Sequence, residues 1–191
     1  MTWYTRNTTT AWYPREATTA RRVYAGPSGP PLIAVAHGSR DPRAAVTVED
    51  LLDLVRRARP ELTVRTAYLD HAPPTIAMAL SGLSEAVVLP LLLTAAYHSR
   101  VDIPGVLAEV TARRPLYVHR GATLGPHPLM ITALERRLAE AGVEPGNPGT
   151  AVVLVSAGSG DRRANATVAG IAGDWAGGRD WSGSTSSTGP R

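Results

Sequence analysis

From Leu32 onward, short apolar runs alternate with segments whose apolar residues recur at helical spacing. This alternation predicts an α/β domain with a parallel, flavodoxin-like sheet. Leu32–Ala36 reads as a buried strand. Asp41 and Pro42 open a helix that carries Val48, Leu51, Leu52 and Val55 on one face and stops at Pro60. Residues 62–68 form the second predicted strand, 74–83 the second helix and 86–92 the third strand. The near-continuous apolar character of the third strand implies cover on both faces and a central place in the sheet. A long loop through His98 leads to a helix beginning near Pro104, a strand at 116–119, and a helix at 128–141 with Met130, Leu134 and Leu138 on one face.

The turn-rich stretch 145–149 separates a second region that repeats the first. Val35-Ala-His-Gly-Ser-Arg-Asp-Pro-Arg-Ala-Ala45 aligns without gaps on Val155-Ser-Ala-Gly-Ser-Gly-Asp-Arg-Arg-Ala-Asn165, 120 residues later. A repeat at that offset points to a duplicated lobe, since solenoid repeats run about 20 to 50 residues. The expected organisation is a disordered extension at 1–30, a lobe at 31–145, a partial second repeat at 150–176 with a strand at Ala151–Ser156 and a helix from Arg162 to Trp175, and a disordered Gly- and Ser-rich tail at 177–191.

Composition narrows the chemistry. No residue is Cys, which excludes thiolate zinc, iron–sulfur clusters and a cysteine nucleophile. All 20 basic residues are Arg, which removes Schiff-base lysines and the P-loop lysine. Much of the net charge of +4 sits in residues 1–30, where four Arg face one acid; the near-neutral remainder argues against a nucleic-acid partner. No apolar run approaches the roughly 20 residues of a membrane-spanning helix, so no membrane partner is expected and a cytoplasmic location is.

His37-Gly38-Ser39-Arg40 lies where the first strand ends, and His98 lies beyond the end of the third. In a doubly wound sheet, ligands bind beyond the carboxyl ends of the strands where strand order reverses. With the order 2-1-3-4, the two histidines converge on one cleft. Imidazoles suit Fe, Co, Ni and Zn, and two of them make an incomplete shell fit for a metal that is handed on. The blander reading has His37 bonding its own turn and His98 as a loop residue.

His-Gly-Ser-Arg after a first strand, a loop His followed by Asp102-Ile-Pro104, and Leu124-Gly-Pro-His-Pro128 after the fourth strand together resemble the sirohydrochlorin chelatase family of the CbiX type. The resemblance covers Leu32 to about Trp175. It implies insertion of Fe(II) or Co(II), as substrate and without nucleotide, into sirohydrochlorin, an anionic tetrapyrrole of siroheme and cobalamin biosynthesis. It also implies that His37 and His98 bind the metal and help deprotonate the macrocycle. Ser39, Arg40, Arg43 and Arg100 then become candidates for holding the carboxylate rim, through bidentate pairs in the case of the arginines. Asp70, His71 and Asp102 are candidates for orienting a histidine. His119 and His127 read as a strand-end and a loop residue outside the site. Ala157 occupies the place of His37 in the second copy, so that copy is not a second site. Single-lobe relatives form their cleft as homodimers, and a homodimer is the expectation here as well.

Other readings fit less well. A phosphate cradle at Gly38 and Ser39 leaves the double His unexplained. A histidine phosphatase wants Arg before the first His, where Ala36 stands, and a Gly-x-Ser-x-Gly elbow fails at Ala157. The rival from another class is a non-catalytic carrier of metal or tetrapyrrole.

Overall fold

The computed structural model describes residues 29–94, 98–179 and 183–188, and the extension expected at 1–30 lies outside them except for Gly29 and Pro30. In chain order the elements are β1 (Leu32–Ala36), α1 (Pro42–Ala58), β2 (Val64–Tyr68), α2 (Ile76–Leu80), β3 (Glu85–Pro90), α3 (Ile103–Arg113), β4 (Tyr117–Arg120), α4 (Pro128–Glu140), β5 (Ala151–Ser156), α5 (Arg162–Gly177) and β6 (Gly183–Thr188).

Strands β2-β1-β3-β4 form one sheet in that order, every pair parallel. This is the order that places a crevice between the ends of β1 and β3. Alternation along β1 explains why both faces are covered. Ile33 and Val35 join Ala67, Val88, Leu80 and Ile103 under α2 and α3, while Ala34 on the opposite face meets Leu52 of α1 and Val64. The largest of these side chains are fully buried, each contributing about 1.5–3 kcal/mol.

Local signals set the helix ends. Asp41 caps α1 by accepting from the Arg43 N–H, Pro42 stands in its first turn, and Arg56 and Arg57 close its last. Thr75 caps α2, which is shorter than the predicted 74–83. Polar groups stitch α1 to β2: the buried Thr66 hydroxyl donates to Glu49, and Arg56 binds Glu49 at 3.1 Å, Asp53 at 2.6 Å and the Val64 carbonyl at 3.3 Å.

The duplication is structural. α1 and α5 begin 120 residues apart, with Asp161 capping α5 through the Arg163 N–H as Asp41 caps α1. The tail departs from expectation. Instead of disorder throughout 177–191, α5 runs on to Gly177, and Gly183–Thr188 pairs in parallel with β5. Val152 faces Ser184 just as Leu32 faces Val64, so both copies keep a spacing of 32 residues from the first strand to its partner.

Candidate metal-handling site

The loops at the carboxyl edge of the sheet are locked to one another by backbone. Gly38 has φ 93°, and a Cβ there would lie 1.8 Å from the Asp70 carbonyl oxygen, so only glycine fits. Leu69 N–H donates to the Ala36 carbonyl at 3.0 Å and Asp70 N–H to the His37 carbonyl at 2.9 Å. The Asp41 N–H donates to the Ser39 hydroxyl at 3.0 Å, which turns the chain into α1. Ser39 is therefore a turn residue whose O–H remains to donate.

His37 sits exposed at the end of β1, with its Nδ1 3.1 Å from the Gly38 carbonyl. A carbonyl only accepts, so Nδ1 carries the proton and the lone pair resides on Nε2. Beside it stands His71, the ring centroids 6.3 Å apart and tilted by 47°. His71 has φ 64°, a left-handed conformation uncommon outside glycine, held by its N–H donating to Asp70 Oδ1 at 2.8 Å. Its Nε2 lies 3.5 Å from Asp70 Oδ2.

His98 is not in an open loop. It begins a π-helical turn, His98–Asp102, that winds directly into α3. Since α3 carries the chain back from β3 to β4, this turn stands at the same carboxyl edge as His37. Asp102 holds the N-cap position of α3 without a capping side-chain bond.

The arginines differ in what they already bind. Arg40 is exposed and carries none of the ion pairs found among the described residues. Arg43 is held by its neighbour Asp41 at 2.6 Å, which raises the guanidinium and lowers the carboxyl from their ordinary values. Arg100 lies 3.6 Å from Asp161, the cap of α5, and so links the His98 turn to the second copy. Sequence spacing held no sign of that link. His119 Nε2 meets Glu85 at 2.8 Å and its ring stands edge-on to Tyr117, while His127 caps α4 by accepting from the Leu129 N–H. Both act within the fold, as the sequence suggests, though His127 is a cap more than a loop residue.

In the second copy the same turn lacks the chemistry. Gly158 repeats the positive φ, Ser159 accepts from the Asp161 N–H at 3.1 Å, and Ala157 stands where His37 does. Asn165 closes this turn on itself, accepting from the Ser159 N–H at 2.9 Å and donating to the Ser159 carbonyl at 2.8 Å. A cavity of about 580 Å³ lies away from these turns, between α4 and α5, lined by Ile131, Ile171, Glu135 and Trp175 among others. Its Glu135 is already bound by Trp175 and Arg179.

A profile of the CbiX family matches residues 31–141, more than half of the chain. The chain belongs to the CbiX family. It is 29% identical over 143 residues to the sirohydrochlorin cobaltochelatase of Priestia megaterium, covering 70% of this chain and 46% of that protein. To the sirohydrochlorin ferrochelatase of Bacillus subtilis it is 29% identical over 147 residues, 74% of this chain and 56% of the relative. It thus spans about half the length of these CbiX relatives. The solved structure of SirB from Bacillus subtilis with Fe3+ matches with a TM-score of 0.72 at 26% identity, over 84% of this chain and 67% of that one.

Proposed function

We propose that this CbiX-family chain is a sirohydrochlorin chelatase that inserts Fe(II) or Co(II) into the macrocycle without nucleotide. The observation that carries the reading is His37: an exposed imidazole at the sheet's switch point, its Nδ1–H tied to Gly38 so that Nε2 is the basic nitrogen. Insertion removes two pyrrolic protons and exchanges the metal's water for ring nitrogens, so a neutral imidazole serves as proton acceptor and as transient ligand. His98, on the adjoining crossover, is the second imidazole. Relatives named for cobalt and for iron support either metal as substrate. Arg40, Arg43 and Arg100 with the Ser39 O–H are assigned to the macrocycle's carboxylates, Arg40 being the readiest because Arg43 and Arg100 must first leave Asp41 and Asp161.

No helix among the described residues is long and apolar enough to cross a membrane. We place the reaction in the cytoplasm, where a reducing environment keeps Fe(II) available. We also assign a symmetric homodimer. Among the described residues β5 pairs only with β6, and Val153 and Val155 of β5 stand 59% and 70% exposed, a sheet face that a second copy would cover.

The test is anaerobic incubation of the full chain with sirohydrochlorin and each metal, following the macrocycle's absorption against a no-enzyme control. Multiple turnovers are expected. A single stoichiometric uptake without turnover would instead make the chain a carrier.

A further inference from the structure

We propose that the aromatic and arginine-bearing segment at residues 3–15 docks in the cavity between α4 and α5, seating an aromatic ring against Trp175 and pairing an arginine with Asp174. The cavity lies away from the imidazole-bearing edge, and its occupancy is independent of the chelatase reading.

The cavity calls for an apolar group. Its volume of about 580 Å³ falls within the range of about 300–1,000 Å³ usual for binding sites. Pro126 and Ile131 line it from the α4 side, and Ile171 and the buried Trp175 from α5. Since α4 belongs to the first copy and α5 to the second, one occupant is gripped by both.

The cavity also calls for one cation. Glu135 is neutralised already, by Arg179 through two bonds of 2.8 Å. Asp174 is exposed and carries none of the ion pairs formed among the described residues. It stands in the last turn of α5, which holds no base. A carboxylate there opposes the helix dipole, and a cation beside it removes that penalty.

Residues 1–28 hold the matching chemistry twice, as Trp3-Tyr4-Thr5-Arg6 and Trp12-Tyr13-Pro14-Arg15. Each unit sets two aromatic rings beside one arginine. Trp and Tyr bury about 150–250 Å² each, and a guanidinium stacks on an indole as well as pairing with a carboxylate. With four Arg against one acid, residues 1–30 also carry the charge that an uncommitted carboxylate attracts. Their reach is sufficient. Arg15 lies 14 residues before Gly29, and 14 residues span up to about 46 Å. A domain of this size has a radius of gyration of about 15 Å, so either unit can cross to the cavity. Trp181 lies nearer in sequence, but its neighbour Arg179 is committed to Glu135 and it brings no further cation.

The experiment is amide hydrogen exchange on the full chain at low concentration, for the parent protein, Asp174→Asn, a Trp3→Ala/Trp12→Ala double variant and Trp181→Ala. In the parent, amides in 3–15 are expected to exchange at least about tenfold more slowly than in a free peptide of the same sequence. Asp174→Asn should speed their exchange about two- to fivefold, the size of a solvent-facing ion pair. That replacement removes an unfavourable charge from the end of α5, so the faster exchange cannot come from a weakened helix. The double variant should speed exchange across 170–179, while Trp181→Ala leaves it at the parent rate. Coil-like exchange of 3–15 in the parent, or rates indifferent to Asp174 or to the two tryptophans, would overturn the proposal. So would an effect confined to Trp181→Ala, which gives the cavity to that ring, or protection that appears only as concentration rises, which gives it to a second copy of the chain.

Discussion

The two copies share a backbone device and divide everything else. In each, a glycine with positive φ, a serine that accepts from an aspartate N–H, and that aspartate's cap on the following helix turn a strand into a helix. The first turn is clamped outward onto Asp70 and carries His37. The second is sealed inward by Asn165 and carries Ala157. The polar lattice of Glu49, Asp53 and Arg56 that holds α1 to β2 has no counterpart either, because Ala169, Gly173 and Ala176 occupy those places in α5. Glycine, serine and aspartate therefore make the same turn in both copies, and the imidazole is what the first adds.

The strongest way to break this comparison is to exchange the imidazole. His37→Ala is expected to lower the insertion rate about 10²- to 10⁴-fold, the range of a lost general base. Ala157→His should raise neither the rate nor the number of Co(II) ions bound, because the second copy offers no neighbouring imidazole among the described residues. An added equivalent of tightly bound Co(II) in Ala157→His would show that the turn itself suffices.

Glycine replacements come next. Gly38→Ala is expected to cost above about 4 kcal/mol, because backbone strain adds to a clash with the Asp70 carbonyl. Gly158→Ala should cost about 1–2 kcal/mol, the penalty of a left-handed residue. Chemical denaturation of both variants checks the order, and equal costs would mean that the clamp onto Asp70 adds nothing.

How much of this was legible follows from which residues carry each element. The strands of the first copy announce themselves through Ile33, Val35 and Val88, all fully buried, and the near-continuous apolar character of the third strand marked its interior place in the sheet. Strand β6 was not legible, since Ser184 to Thr188 include no apolar residue and the strand is specified by backbone pairing to β5. At the site, the His37 turn and its capping could be read from His-Gly-Ser-Arg-Asp-Pro. His71 could be placed near a histidine from its position after β2, but not beside His37 in particular or in a left-handed conformation, because these depend on the register of β2 against β1 and on local backbone, neither of which leaves a periodic trace. A third test uses the same contrast in burial. Ile33→Ala should cost about 3 kcal/mol and Val155→Thr within about 0.5 kcal/mol in a monomeric state, while a larger loss for Val155→Thr that grows with protein concentration would locate the dimer interface on β5.

The smallest expected effect concerns how each helix is anchored. Val55 of α1 packs on its own sheet, but Trp175, at the matching place in α5, reaches back to α4: its Nε1–H donates to Glu135 at 2.9 Å, and Arg179 grips the same carboxylate through two bonds of 2.8 Å. The Arg179 guanidinium, helped by Trp175, holds the Glu135 carboxyl below its ordinary value against the opposing effect of burial. A carboxyl whose value is lower folded than unfolded stabilises the fold above its unfolded value, about 4.3, and that contribution fades as pH falls through the lowered folded value. Acidification through that window should accordingly speed amide exchange in α5 before α1, whose carboxylate pairs with Arg56 are backed by the apolar packing of Leu52 and Val55 on the sheet. Glu135→Gln, expected to cost about 1–2 kcal/mol at neutral pH through the loss of charge-assisted bonds, should abolish the difference in acid response between the two helices. Parallel acceleration in α1 and α5 of the parent protein would mean that the second copy is held to the first by packing after all.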